Sequence, residues 1–176
     1  MSDTRNIIDY FKYWTVDAIK ADLDEKRHNF SILISNKLND FNLGTVVRNC
    51  NAFLGREVII WGRRQWDKRG AVGTHHYENI KHFRTTDSLD FQDATVIGID
   101  NVPSAIPIDD FQWPTGHVIM VFGQEQHGID PELAAICSQF VYIRQFGSVR
   151  SLNVGTASGV AMYDYCSKMV PIGANL

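Results

Sequence analysis

A mostly parallel α/β sheet with helices on both faces is the fold this sequence predicts, and two observations carry it. An apolar run, Phe30 to Ser35, gives way to a helical stretch from about Leu43 to Leu54, and that to a second apolar run, Arg56 to Trp61. Strand, helix, strand in that order is the building unit of parallel sheets. The first run is also short and continuously apolar in character, the reading of a strand covered on both faces.

Taken in order, residues 6 to 23 place Ile7, Ile8, Phe11, Trp14, Ile19 and Leu23 at spacings near three and four, the pattern of an amphipathic helix or two short ones. Residues 1–28 are therefore expected to form an N-terminal helical extension to a domain spanning 29–176. Gly55 supplies the stop for the helix after the first strand. Ile80 to Phe83, Thr95 to Ile99 and Val118 to Phe122 read as further strands. Pro103, Pro107 and Pro114 break up the stretch between the last two, predicting an irregular crossover. Pro131 suits the first turn of a helix, with Asp130 as its N-cap. The final strand, Phe140 to Ile143, runs into a Gly/Ser loop and then a helix beginning near Asn153, capped by Ser151 or Asn153. That helix is small-surfaced: Gly155, Thr156, Ala157, Ser158, Gly159, Ala161. Each helical glycine costs roughly 1 kcal/mol against alanine, so another backbone, a ligand or a second subunit is expected close to it.

Composition narrows the class. Cys50, Cys137 and Cys166 are odd in number and far apart, without a CxxC pair. This predicts a reducing, cytoplasmic setting and no disulfide or zinc framework. No apolar run approaches the length of a membrane span, so no membrane partner is expected. The formal charge of −3 means that any nucleic-acid binding must come from a local patch. Positive charge does gather between Arg56 and Arg84, where Arg63, Arg64, Lys68 and Arg69 alternate with Trp61, Trp66 and Tyr77. Basic groups that grip phosphates beside aromatic faces that stack on bases suit RNA. The adjacent His75 and His76, read on a strand, point opposite ways and do not make a metal pair. A dinucleotide-binding Rossmann unit is excluded, because the strand-end glycine, Gly123, follows most of the sheet instead of the first strand.

Three stretches carry the chemistry: Asn42 to Arg48 (NLGTVVR), Phe122 to Ile129 (FGQEQHGI) and Ser151 to Ala157 (SLNVGTA). In that order they resemble the three motifs of the SpoU/TrmH-like branch of the SPOUT RNA methyltransferases, over roughly Asn29 to Met169. The resemblance implies a C-terminal trefoil knot, S-adenosylmethionine as cofactor, and a ribose 2′-hydroxyl of structured RNA as acceptor. It puts tRNA ahead of rRNA, with a non-catalytic RNA-binding dimer of the same fold as the alternative. It further implies a homodimer, with Arg48 of one subunit serving a cofactor held by the other. By the same resemblance the catalytic set is Arg48, Asn42, Glu125, Ser151 and Asn153. Asn42 either positions the ribose or caps its helix, Glu125 orients Arg48 or the loop, and Ser151 and Asn153 divide between the site and capping. The cofactor is expected against Gly123, Ile143 and Leu152, with Ile99 as a further lining residue. At Gly123 the missing Cβ is expected to admit the ligand. Arg150, where many relatives carry an acid, adds charge beside the site and joins the RNA-binding set.

Overall fold

The computed structural model describes residues 3–37, 41–86, 89, 91, 93–124 and 127–171. Its centre is a seven-stranded sheet of β1 (Phe30–Asn36), β2 (Val58–Gly62), β3 (Ile80–Phe83), β4 (Ala94–Ile99), β5 (Ile106–Pro107), β6 (His117–Phe122) and β7 (Gln139–Tyr142). The order is β3-β2-β1-β6-β4-β7-β5, and each neighbouring pair is parallel. The helices are α1 (Val16–Asp24), α2 (Asn42–Ala52), α3 (Pro131–Ala134) and α4 (Val154–Met169).

β1 is buried along its whole length, because both of its faces are covered. On one face Ile32, Ile34, Ile60, Met120 and Phe122 meet Leu43, Val46 and Val47 of α2 and Ala161, Met162 and Tyr165 of α4. On the other, Leu33, Ile59, Trp61, Ile119 and Val121 meet Leu133 of α3. Full burial of such a side chain is worth about 1.5–3 kcal/mol, so the two layers fix the strand order and register.

Of the two arrangements open for the N-terminal stretch, the structure has two short pieces, a 3₁₀ turn at Asp9–Phe11 and α1, the latter capped by Thr15 Oγ1 accepting from the Ala18 N–H at 3.2 Å. Other elements depart from the sequence reading. The proline-rich crossover contains β5, a two-residue strand at the sheet edge, where a proline needs no ladder donor. Asp130 precedes α3 without capping it; its carboxylate pairs instead with Lys37 Nζ at 2.6 Å. His75 and His76 lie in a 3₁₀ turn, Thr74–His76, with ring centroids 4.1 Å apart, so the alternation of a strand does not apply to them. Among the described residues no group of three or more His, Cys, Asp or Glu side chains is arranged for a metal, and no helix is long and apolar enough to cross a membrane.

Candidate active site

In open parallel sheets a ligand sits outside the C-terminal strand ends, where the strand order reverses. Here the chain steps outward from β1 to β2 and β3, then returns to the other side of β1 to build β4 to β7. The three stretches singled out above leave the C-terminal ends of β1, β6 and β7, so this topology gathers them at one end of the sheet.

The first and third stretches touch. Asn153 Nδ2 donates to Asn42 Oδ1 at 2.9 Å, and Asn153 Oδ1 accepts from the Thr156 N–H at 3.3 Å. Asn153 is thus both the cap of α4 and the link to α2; Ser151, exposed, is not the cap. Asn42 is the first residue of α2 and does not cap it, the N-cap position being Phe41. Two turns further on, Asn49 Nδ2 donates to Gly155 O at 2.7 Å and to Ser158 Oγ at 3.0 Å. A Cβ on Gly155 would lie 2.8 Å from Thr45 Cγ2, and one on Gly159 3.3 Å from Asn49 Nδ2. The small face of α4 is therefore met by side chains of α2 of the same chain. Gly155 and Gly159 are occupied by that contact, while the buried Ala161 belongs to the core under the sheet.

Asn49 neighbours Arg48, whose side chain points away from this weld and is exposed. Among the described residues its guanidinium has no hydrogen-bond or ion-pair partner. α2 is held in place from behind as well, since a Cβ on Gly44 would stand 2.8 Å from Ala71 N. Arg48 is thus an exposed cation, without a partner among the described residues, on a helix fixed from two sides.

The second stretch closes on itself. Gln124 and Gly128 exchange backbone hydrogen bonds, each 3.0 Å long, and Gly128 adopts a φ of +67°, which favours glycine. A Cβ on Gly123 would fall 2.0 Å from Gly128 C and 2.1 Å from its oxygen. The space expected to admit a cofactor is taken by the chain's own turn, a correction to the reading of Gly123 as an open approach. Substituting Gly123 with alanine should accordingly displace the turn and cost about 1–3 kcal/mol, the range for overpacking. Unaltered denaturant unfolding would contradict that account. Glu125 lies outside the described residues.

Asp100, which the sequence reading passed over, anchors the turn: its Oδ2 accepts from the Ile129 N–H at 2.9 Å and its Oδ1 from the Asn101 N–H at 2.7 Å. An acidic residue directly after a buried strand, Thr95 to Ile99, was the available signal. Ile99 is itself 8% exposed and lies in register with Phe122 and Val141. Ile143 and Leu152 are half-buried, Ile143 against the same core. Gln145, on the loop between β7 and α4, holds a buried Oε1 with no hydrogen-bond partner among the described residues. Arg150 on that loop is exposed, and its carbonyl accepts from Asn101 Nδ2 at 3.5 Å.

The basic stretch is uneven. Arg69 forms a two-pronged pair with Asp67, Nε to Oδ1 at 3.0 Å and Nη2 to Oδ2 at 2.5 Å. Lys68 Nζ lies 5.9 Å from the Trp66 ring centroid. Arg63 and Arg64 are exposed and carry no side-chain partner among the described residues.

A parallel α/β sheet with its polar motifs gathered at the C-terminal strand ends defines a ligand-binding α/β protein. More narrowly, the sequence profile of the SpoU rRNA methylase family matches residues 29–163, and the chain belongs to that family. One curated relative is the 23S rRNA (guanosine-2′-O-)-methyltransferase RlmB of Acinetobacter baylyi, 38% identical over 71 residues, which are 40% of this chain and 28% of the relative. The chain thus matches under a third of that protein's length. Among solved structures, the A. aeolicus TrmH/SpoU tRNA modifying enzyme superposes with a TM-score of 0.74 at 21% identity, over 87% of this chain and 83% of that one. The AdoMet-bound rRNA methyltransferase from Sinorhizobium meliloti gives 0.73 at 20% identity, over 85% and 61%. These likenesses show the fold.

Proposed function

We propose that this protein transfers a methyl group from S-adenosylmethionine to a ribose 2′-hydroxyl of structured RNA, with tRNA ahead of rRNA. The observation that carries the reading is the juxtaposition of Asn42, Asn153 and Arg48, exposed and without a partner among the described residues, at the C-terminal strand ends. Family membership supports the reaction class. Similarity to the tRNA (guanosine(18)-2′-O)-methyltransferase of Escherichia coli, 26% identical over 130 residues, supports the order of substrates.

The residues present fit the cofactor. Ile99, Ile143 and Leu152 offer apolar contact, and the buried, unsatisfied Gln145 Oε1 offers an acceptor of the kind an adenine amino group satisfies. When bound, the sulfonium supplies an electrophilic methyl group. The chain must hold the acceptor ribose and stabilise the oxygen as it loses its proton. Arg48 suits the second task and the holding of the adjacent phosphate. A guanidinium is too weak an acid to serve as the base, but it stabilises a developing alkoxide well. Asn42 and Asn153 fix the two motifs against each other around it. A knotted C terminus belongs to the same reading, supported by the way α4 is drawn onto α2.

The reading includes a homodimer. Its support is the apolar surface left open at Ile8, Tyr10 and Tyr13 and, on α4, at Tyr163, which is 64% exposed. Light scattering should give twice the chain mass, and an active monomer would remove this part. For the reaction, the protein is incubated with S-adenosylmethionine and either tRNA or rRNA, and the digested RNA is analysed by mass spectrometry. Ribose-methylated nucleosides are expected, and more from tRNA; none from either RNA would overturn the proposal.

A further inference from the structure

From the C-terminal ends of β2 and β3 we infer a second contact surface, a phosphate clamp built by Arg63, Arg64 and Arg84 that grips the RNA backbone away from the methylated ribose. The inference rests on the RNA reading above and narrows it, since within the basic stretch from Arg56 to Arg84 it selects Arg84 beside Arg63 and Arg64 and leaves out Arg69.

The clamp is built on rigid backbone. Gly62 ends β2 with a φ of +113°, and a Cβ there would lie 3.1 Å from Asn36 O. The fully buried Asn36 holds the strap that follows: its Nδ2 donates to Arg63 O at 2.7 Å and to Gln65 O at 2.9 Å, while its own carbonyl accepts from the Arg63 N–H at 3.0 Å. Three hydrogen bonds from one buried residue fix where Arg63 and Arg64 emerge. Arg84 follows Phe83, which pairs with Trp61 in the register of β2 and β3. It therefore leaves the sheet beside the same strap. The three arginines line a cleft of about 690 Å³ with Lys37, Gly62 and Gln65. Arg64 and Arg84 also line an adjoining one of about 410 Å³ that includes His82.

Charge distinguishes this cleft from the rest of the basic stretch. Lys81 is paired with Glu57, Arg69 with Asp67 and Lys37 with Asp130. Arg63, Arg64 and Arg84 have no acidic or hydrogen-bonding side-chain partner among the described residues, and no acidic side chain lines either cleft. Planar, always-charged forks on a preset backbone, without an ion pair among the described residues, match phosphate oxygens two at a time. Binding there breaks no ion pair found among the described residues, whereas Arg69 would first have to leave Asp67. Phosphates along one strand of an RNA give the repeated anions that three such forks can engage together, which a lone phosphate does not.

The test compares the intact protein with an R63Q/R64Q/R84Q variant on tRNA over a series of salt concentrations. Each phosphate contact contributes about 0.7–0.9 to the slope of log affinity against log salt. The variant should therefore lose roughly 2–3 of slope and on the order of a hundredfold in affinity near 0.1 M salt. S-adenosylhomocysteine affinity should not change. Arg84→Gln alone, at an exposed position, should lower the slope by about 0.7–0.9 and keeps the test open if the triple variant folds poorly. Arg69→Gln should lose less than about threefold, its charge being neutralised already. If the intact protein binds RNA and the triple and Arg84 variants keep its slope, the clamp is overturned while the RNA reading stands. A loss from Arg69→Gln equal to that of the triple variant also overturns it. An intact protein that binds no RNA overturns the reading and the clamp together.

Discussion

Replacing Arg48 with alanine should lower the methylation rate constant by about 10²–10³-fold, the range for removing one group that stabilises a developing oxyanion, while leaving S-adenosylhomocysteine affinity unchanged. The split follows from placement. Arg48 is exposed and unpartnered among the described residues, so its loss leaves no buried group unsatisfied. Its neighbours on α2 do the structural work: Val47 and Cys50 are buried in the core, and Asn49 bonds to α4. Thermal unfolding of the variant should therefore match that of the intact protein. Arg48→Lys keeps the charge and loses the planar fork, so it should fall between the two. Single-turnover kinetics at saturating RNA and cofactor measures the effect. A change under about threefold would remove Arg48 from the reaction.

The sheet was legible because its strands are buried on both faces, and burial writes itself into composition. Phe30 to Ser35 and Val118 to Phe122 could be read within a residue of their observed ends for that reason. β5 was not legible, because two residues ending in a proline bury little and carry no period. Helix capping was half legible: Asn153 has a side chain that can cap and does, whereas Asp130 has one too and is drawn off by Lys37, 93 residues away. The glycines were legible as places of close approach, but sequence does not say what approaches. At Gly123 it is the chain's own turn, and at Gly155 and Gly159 it is α2. At the site, motif order pointed to Asn42, Arg48 and Asn153. The contact between two of them, across 111 residues, exists only once β1 and β7 lie in one sheet. Within the basic stretch, a count of charges cannot separate a cation already paired, such as Arg69 with Asp67, from those without a partner among the described residues, such as Arg63, Arg64 and Arg84.

Glu78 shows the same limit with a larger consequence for stability: in sequence it is one acid among the basic residues of the stretch, and in the fold it is a buried hub. Its side chain is 0% exposed, and that of Arg27 is 5% exposed. Arg27 Nη1 donates to Glu78 Oε2 at 3.0 Å and to Gly55 O at 2.7 Å, Nη2 donates to Tyr77 O at 2.7 Å, and Nε to Asp24 Oδ1 at 2.6 Å. Asn51 Nδ2, from α2, donates to Glu78 Oε1 at 2.7 Å. The network ties the end of α1 to the helix that carries Arg48. Burial pushes the Glu78 carboxyl above its ordinary range, with Arg27 and Asn51 pulling the other way. Glu78→Ala would leave the Arg27 guanidinium buried beside an empty space and Asn51 without its acceptor. Breaking a buried pair from one side costs about 3–5 kcal/mol, a large part of the stability of a domain this size. Denaturant unfolding should show that loss in the midpoint. The double replacement Arg27→Met with Glu78→Leu removes both charges, so it should recover part of the loss. A Glu78→Ala variant as stable as the intact protein would mean that the pair is idle and that α1 is held by Phe11, Ile19, Leu23 and Tyr77 alone.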